Sequence, residues 1–401
     1  MKILIKNATL ISMDKNRAQK ENNCDVMVEN DKIIKIGQQL DENVDKIIEA
    51  KERVLLPGYI NTHAHVPMSI FREIVDGLPL QEWLEKKIWP IESKLTANDI
   101  YNASKLSFEE MIASGTTTIN DHYFMTEDII KAAVEKGIRI ELTRVLMDTD
   151  GQGAQRINEL EELLEKYQNK YENITFSIGI HGLYTCSPEY VEKATNLARK
   201  YNLNVHMHFC ENQEEVETIK KVYKVTYPSE VLEKYFQGLN VILAHCVELT
   251  KYDMNILKKM NINVSHCPVS NLRLGCGIAH IEELRNMGVN VTLGTDGQGS
   301  GSNLDMFETM KFATLLQKGY FKNPRFMPAY EVLKMATING AKALNKANEI
   351  GSITVGKKAD IILIDLDTDL TRPVNDIFAD IVYNAKAVNV VMTMVNGNIL
   401  K

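Results

Sequence analysis

GYINTHAH, residues 58–65, is a short apolar run that closes on two histidines, and it is the first of a series. TTTIND (116–121), RIELTRVL (139–146), ITFSIGI (174–180), NVHMHF (204–209), NVILA (240–244), INVSH (262–266) and NVTLGT (290–295) follow it, alternating with segments of helical period. Local signals bound those helices. Ser187-Pro188-Glu189 reads as an N-cap with proline at the first helical position, ahead of an amphipathic run to Tyr201, and Glu135-Lys136-Gly137 reads as a stop. Alternating strand and helix predict a parallel sheet with right-handed crossovers. Eight such units over about 290 residues match the size and order of a (β/α)8 TIM barrel, whose functional side chains sit at the C-terminal ends of the strands. A doubly wound open sheet would alternate in the same way, but it gives no reason for where the histidines fall.

Outside this region the texture changes. KILIKNATLI, DVMVEN, DKIIKIG and RVLLPG are short alternating strands within residues 1–57. After a last helix, expected over 328–345, alternation returns in GSITVGKKADIILIDLD and NVVMTMVNGNIL. The two ends are alike, so residues 1–57 and 350–401 are expected to pair into a small β-sandwich domain beside a barrel of residues 58–349.

The chain has 401 residues, 44% of them hydrophobic, which is enough for a full core. Its net charge of −7 is spread without a basic stripe, which argues against nucleic-acid binding. No run approaches the roughly 18 apolar residues of a membrane span, and the opening MKILIKNATLISMDKN reads as a strand and not as a signal peptide. Gly and Pro form no biased tract, so fibrous and disordered classes fall away. Six cysteines without a CxxC pair suit a reducing cytoplasm.

Eight of the nine histidines lie at or beside a strand end: His63 and His65, His122, His181, His206 and His208, His245, and His266. Strand three carries Arg144 near its end, and strand eight ends in Asp296. In a closed barrel these side chains converge on one rim. Imidazole and carboxylate are the ligands preferred by Zn²⁺ and comparable divalent ions. His63 and His65, two apart on an extended chain, point to the same side and can grip one ion. His206 and His208 form a second such pair, and spacing alone leaves open which is the ligand. His208 is favoured because it is nearer the strand end and begins His208-Phe209-Cys210-Glu211, which sets a carboxylate just beyond the metal, where a proton shuttle is useful. His206 is expected one layer deeper as a hydrogen-bonded core residue. Cys210, Cys246 and Cys267 each follow a histidine closely, but the residue after an inward ligand faces outward, and cysteine is a common small buried hydrophobe. The stretch from Gly294 to Gly301 lacks a P-loop's lysine and reads as a permissive turn that presents Asp296.

Pro57-Gly58-Tyr59-Ile60-Asn61-Thr62-His63-Ala64-His65, His208 to Glu211, His245, Ser265-His266-Cys267-Pro268 and Gly294-Thr295-Asp296-Gly297 resemble the amidohydrolase superfamily. Within it they are similar to the 5-methylthioadenosine/S-adenosylhomocysteine deaminases, which include 5'-deoxyadenosine deaminases, and the likeness spans essentially the whole chain. The resemblance implies one divalent ion per subunit, usually zinc with Fe²⁺ as the alternative, held by His63, His65, His208 and Asp296. Binuclear relatives carry a carboxylated lysine at the end of strand four, where this chain has Gly179-Ile180-His181. It further implies that His181 contacts substrate, Glu211 handles the purine and His245 orients the attacking water. About fifty residues are expected between strand one and the first long helix, and long loops are commonly functional. This segment holds Trp83, Trp89 and Glu92. The family match places Glu92 on the ribose diol, and Trp83 supplies an aromatic wall suited to a purine. Arg144 and Arg156 match arginines that serve the substrate's 5'-substituent, although Arg156 also reads as a solvated charge on a surface helix. His122 stands where the family is usually apolar and receives no role.

The reaction so implied is hydrolytic deamination of an adenine nucleoside with a modified 5' position to the inosine analogue and ammonia. Asp296 would take the water's proton, Glu211 would protonate the purine ring, and His245 would steady the oxygen at C6. The expected partners are the nucleoside and further copies of the same chain, with neither nucleic acid nor membrane among them. The competing readings are another amidohydrolase, such as a guanine or cytosine deaminase or a cyclic-amide hydrolase, and a non-catalytic nucleoside or metal binding protein. Glu92, Trp83 and the two arginines favour a whole nucleoside over a bare base, and a binding protein has no need of Glu211.

Overall fold

The computed structural model describes residues 1–74 and 76–401. Five strands come first: β1 (Lys2–Leu10), β2 (Glu21–Glu29), β3 (Lys32–Gly37), β4 (Lys46–Glu49) and β5 (Arg53–Pro57). Eight more alternate with helices: β6 (Tyr59–Ala64), β7 (Thr116–Tyr123), β8 (Arg139–Leu146), β9 (Ile174–Gly182), β10 (Asn204–Phe209), β11 (Val241–His245), β12 (Asn263–His266) and β13 (Asn290–Leu293). The last three are β14 (Ile361–Asp365), β15 (Val390–Val395) and β16 (Asn398–Ile399).

β6 to β13 pair in sequence order into one eight-stranded parallel sheet. Its two edges meet, because Ala64 bridges Asp296, the Asp296 amide donates to His63 O at 3.0 Å, and the hydroxyls of Thr62 and Thr292 lie 2.6 Å apart. The result is the expected (β/α)8 barrel. β6, β7, β11 and β12 are buried at every position, as a parallel sheet covered on both faces demands. The helix signals act as read: the Ser187 side chain accepts the Tyr190 amide ahead of helix Pro188–Tyr201, and Gly137 ends helix Thr126–Lys136 at φ +72°, a left-handed conformation glycine adopts without strain.

A chain of amides runs along part of the lower, N-terminal rim of the barrel. Asn290 Nδ2 donates to Asn263 (2.8 Å), Asn263 to Asn240 (3.0 Å), Asn240 to Asn204 (3.0 Å), and Asn204 to the buried carboxylate of Glu141 (2.9 Å). Each side chain's donor meets the next one's acceptor, so half-buried amides and the buried Asn263 at four successive strand starts satisfy one another.

Strands from both chain ends make the second sheet, of order β16-β15-β14-β5-β1-β2-β3 with β4 beside β1. It folds over a core of its own that includes Ile5, Val26, Val28, Leu55, Leu363 and Met394. Its far limb returns to the near one, since the Ile33 amide donates to Lys357 O at 2.9 Å and the Gly356 amide to Ile33 O at 2.8 Å. Arg139 at the start of β8 reaches Asp360, just before β14, with N···O distances of 2.7 and 3.2 Å, and both side chains are buried.

Three expectations are corrected. The last helix breaks at Thr337 into Ala329–Met335 and Ile338–Ala343, because the Thr337 backbone leaves the helical region and its hydroxyl bonds Leu333 O at 2.6 Å. The first long helix, Ala97–Ala113, starts early on a Thr96/Asp99 capping box, so the connector from strand one is residues 65–96 and not about fifty long. It carries helical turns from Leu80 to Glu92. Of the GSITVGKKADIILIDLD stretch, only Ile361–Asp365 is strand. Among the described residues no helix is long and apolar enough to cross a membrane.

Candidate active site

The strand ends of the barrel bring His63, His208, His245 and Asp296 together, with one ligand atom of each within 4.8 Å of the others. His65 joins them: its Nε2 lies 3.0 Å from Asp296 Oδ1 and 3.3 Å from His208 Nε2, and His63 Nε2 lies 3.2 Å from the same Asp296 oxygen. The ring orientations follow from what holds the opposite nitrogens. His65 Nδ1 bonds His122 O and His208 Nδ1 bonds His181 O, both at 2.6 Å, while His63 Nδ1 meets His206 Nε2 at 2.8 Å. A carbonyl only accepts, so His65 and His208 each carry their proton on Nδ1 when neutral and aim bare lone pairs at each other. Asp296 Oδ2 accepts from Ser270 Oγ (2.5 Å) and Ser300 Oγ (2.7 Å), which turns Oδ1 toward the imidazoles.

Such convergence of lone pairs repels unless a cation lies between them. Buried His63 Nε2 and Asp296 Oδ1 have no hydrogen-bond partner within normal geometry, and donor separations near 3.2 Å match the about 3.3 Å between ligands of a tetrahedral zinc-type site. The donor set therefore fits a divalent metal, and the Nδ1 anchors are the outer partners that orient metal-ligating histidines. Titration agrees with this. Burial alone would raise Asp296, but the adjacent His63 and His65 rings hold it well below the usual carboxylate range. Burial lowers His63 to about 3, whereas the Asp296 carboxylate overcomes burial at His65 and raises it to about 9. A divalent ion takes the place of that compensating proton.

A cleft lined by apolar and aromatic side chains with a few convergent polar groups opens over this cluster. His65, His208 and Asp296 form its floor, and Trp83, Glu92, His181, Glu211 and His245 line it with Trp89. His63 and His206 lie beneath, so His206 takes the deeper hydrogen-bonded position expected for it. Burial raises Glu211, with the nearby His245 opposing, and His245 Nδ1 sits 3.7 Å from its carboxylate and 2.8 Å from Asn271 Oδ1. Burial also raises Glu92, tempered by a 2.6 Å bond from the Tyr123 hydroxyl. Arg144 and Arg156 stand apart from the histidines in an adjoining groove, each paired with an acid of this chain. Arg156 is buried, which corrects its reading as a solvated surface charge. His122 stacks on His208 with ring centres 4.8 Å apart and also lines the cleft.

Several supporting residues escaped the sequence reading. Ser270 and Asn271 come from the short helix Pro268–Arg273 after β12, and Ser300 from the glycine-rich turn after β13. Glu215 is buried in the helix after β10, where it accepts the backbone amides of Cys210 (2.9 Å) and Glu211 (2.7 Å). Its spacing of four from Glu211 was the available signal. The cysteines are unpaired and buried, and Cys276 points its thiol at Glu211 from 3.7 Å.

Residues 54–400 match the amidohydrolase family model. A protein of Caldanaerobacter subterraneus named 5-methylthioadenosine/S-adenosylhomocysteine deaminase is 40% identical over 404 aligned residues, covering 100% of this chain and 93% of that one. A protein of Methanocaldococcus jannaschii named 5'-deoxyadenosine deaminase is 43% identical over 368 residues, covering 90% and 86%. Among solved structures, an adenosine deaminase from Xanthomonas campestris with bound zinc superimposes with a TM-score of 0.94 at 27% identity, over 99% of this chain and 92% of that one. A strand-end cluster of this composition in a (β/α)8 barrel, and sequence likeness over the full length, lead to one conclusion: the chain belongs to the amidohydrolase family.

Proposed function

We propose that this protein hydrolytically deaminates adenine nucleosides modified at the 5' position, giving the inosine analogue and ammonia. The observation that carries the reading is the pairing of the inward-facing His63, His65, His208 and Asp296 with a buried Glu211, its pKa raised by that burial, across one cleft. Relatives about 40% identical over the whole chain, named as deaminases of such nucleosides, support it. One zinc ion on the four ligands is the metal content we assign, with residues 58–349 as the catalytic unit and residues 1–57 with 350–401 as the small β-domain. Buried free thiols suit the cytoplasm.

His63, His65, His208 and Asp296 would hold a divalent ion, which would supply water of lowered pKa at neutral pH. The chain's own groups divide the rest. Asp296, its orientation fixed by the two seryl hydroxyls on Oδ2, receives the water's proton. His245, fixed through Nδ1 by Asn271, presents Nε2 to the attacking oxygen. Glu211, held toward its protonated form by burial, gives a proton to the purine ring nitrogen as oxygen adds to C6. The C6–N bond then breaks with ammonia leaving. Glu92 accepts from the ribose hydroxyls, Trp83 packs against the base, and His181 completes the wall. Incubation of the zinc-loaded protein with 5'-deoxyadenosine, 5'-methylthioadenosine, S-adenosylhomocysteine and adenosine, followed by ammonia release and the purine absorbance change, tests this. Turnover that Glu211→Gln abolishes while metal is retained is expected. No turnover of any of the four defeats the proposal.

A further inference from the structure

We infer that the groove next to the catalytic cleft selects nucleosides whose 5' group carries no carboxylate, because the chain's own acids already occupy both arginines there. The inference rests on the deaminase reading and names which of its substrates this chain favours. The groove shares Trp89, Glu92, Tyr123 and Phe124 with the cleft, so a 5' extension leaving the nucleoside site enters it.

Arg144, at the end of β8, donates to Glu159 through Nε at 3.0 Å and through a second guanidinium nitrogen, and to Val145 O at 2.9 Å. Its guanidinium carbon lies 5.8 Å from the centre of the Phe124 ring. Arg156 makes a two-pronged bond to Asp150, 2.6 and 2.5 Å, and a third bond to Met147 O at 2.8 Å. The arginine side chains are 13% and 9% exposed, and their acid partners 38% each. Each guanidinium is thus largely shielded from solvent, while the carboxylate paired with it is the more exposed partner. These bonds also staple β8 to the helix Gly153–Tyr167, which gives the arginines a role without any ligand.

The remaining charge in the groove points the same way. Beyond Asp150 and Glu159, four more carboxylates line it, Glu92, Glu127, Asp128 and Glu162. Lys166 and Lys131 pair with Glu127 and Asp128 but do not line it. A substrate carboxylate must either displace Glu159 or Asp150, stranding an acid beside others, or sit among acids unpaired. A methylthio, methyl or hydroxyl group meets neither penalty, and an ammonium is attracted. Specificity of this kind comes from repulsion of the wrong substrate as much as from attraction of the right one.

The test compares kcat/KM for 5'-methylthioadenosine, S-adenosylhomocysteine and the decarboxylated form of the latter, which keeps the length and the ammonium. Wild type is expected to prefer 5'-methylthioadenosine over S-adenosylhomocysteine by about tenfold, the scale of two partly exposed ion pairs, with the gap narrowing in high salt. The decarboxylated compound should fall near 5'-methylthioadenosine. Glu159→Gln and Asp150→Asn should each raise S-adenosylhomocysteine relative to 5'-methylthioadenosine severalfold, a ratio within one preparation that is independent of how much of the variant folds. Equal or better use of S-adenosylhomocysteine by wild type overturns the inference, as does a decarboxylated compound no better than its parent, or ratios unmoved in both variants. Turnover of none of them overturns the deaminase reading instead. The groove is then judged by equilibrium binding of the same compounds, where tighter binding of S-adenosylhomocysteine is the defeating result.

Discussion

Replacing Glu215 by glutamine should make the protein less active and, above neutral pH, no less stable. Its carboxylate is 5% exposed and takes two backbone amides, from Cys210 and Glu211, at the turn where Cys210 adopts φ +51° and lifts Glu211 out of the strand. Burial, reinforced by the Glu211 charge and opposed by those two amides, raises Glu215 from about 4.5 to about 7. A carboxyl whose folded pKa is raised binds its proton more tightly when folded. Stability is therefore highest below about 4.5 and is lost as pH rises toward about 7, by on the order of 3 kcal/mol for this group. Glutamine cannot titrate, so its variant lacks that part of the slope; Asp121 and Asp305, raised by burial to about 7 and about 6, keep theirs. Glutamine has one acceptor oxygen for two amides, and the buried N–H left over costs about 1–3 kcal/mol, less than the relief from desolvating a charge at pH 8. The loosened turn carries Glu211, and a displacement approaching 1 Å is worth about 100-fold in rate. Urea midpoints at pH 5 and pH 8, metal content, and kcat/KM on 5'-deoxyadenosine make the measurement. The reasoning fails if the pH–stability curves of the two proteins run parallel, or if the variant turns over like wild type.

Other consequences are more direct. Asp360→Ala strands Arg139 between barrel and β-domain and should cost about 3–5 kcal/mol in chemical denaturation, much of it recovered in the apolar pair Arg139→Met/Asp360→Leu; a double variant as weak as the single one counts against this account. Gly294→Ala places a methyl 2.7 Å from Ser265 Oγ and 2.8 Å from His63 Cβ, so it should lower stability by about 1–3 kcal/mol and reduce metal content by elemental analysis. Chelation should abolish turnover and lower the melting temperature, both restored by zinc, because an ion bound only by the native state stabilises it.

The barrel was legible because each of its strands is a separate apolar run closing on a histidine, arginine or aspartate, and strand order in a parallel barrel is simply chain order. The histidines and the aspartate that the structure brings together were legible for the same reason, since a strand end fixes both height and facing. Ser270, Asn271 and Glu215 were not, because they act from short helices whose rotation about the strand ends no local spacing encodes. The arginine pairs show a different limit. Arg144 and Arg156 are visible as charges, but whether such a charge is free for a ligand depends on Asp150 and Glu159, and only the fold of the loop after β8 brings those acids onto them. The break at Thr337 was hidden because TINGAK continues a helical pattern, whereas the Thr337 backbone, at φ −136° and ψ −98°, leaves the helix.

The cleft sets which way molecules travel. It opens at the C-terminal ends of the strands, above a barrel interior that side chains fill. Nucleoside, water, ammonia and product use this upper mouth. Ammonia, released at the bottom of the cleft, must pass the deaminated nucleoside or wait behind it, and a second substrate cannot enter until both have gone. The protein is a single-door vessel whose product should compete with substrate for entry and whose cycle is ordered by the queue at the mouth.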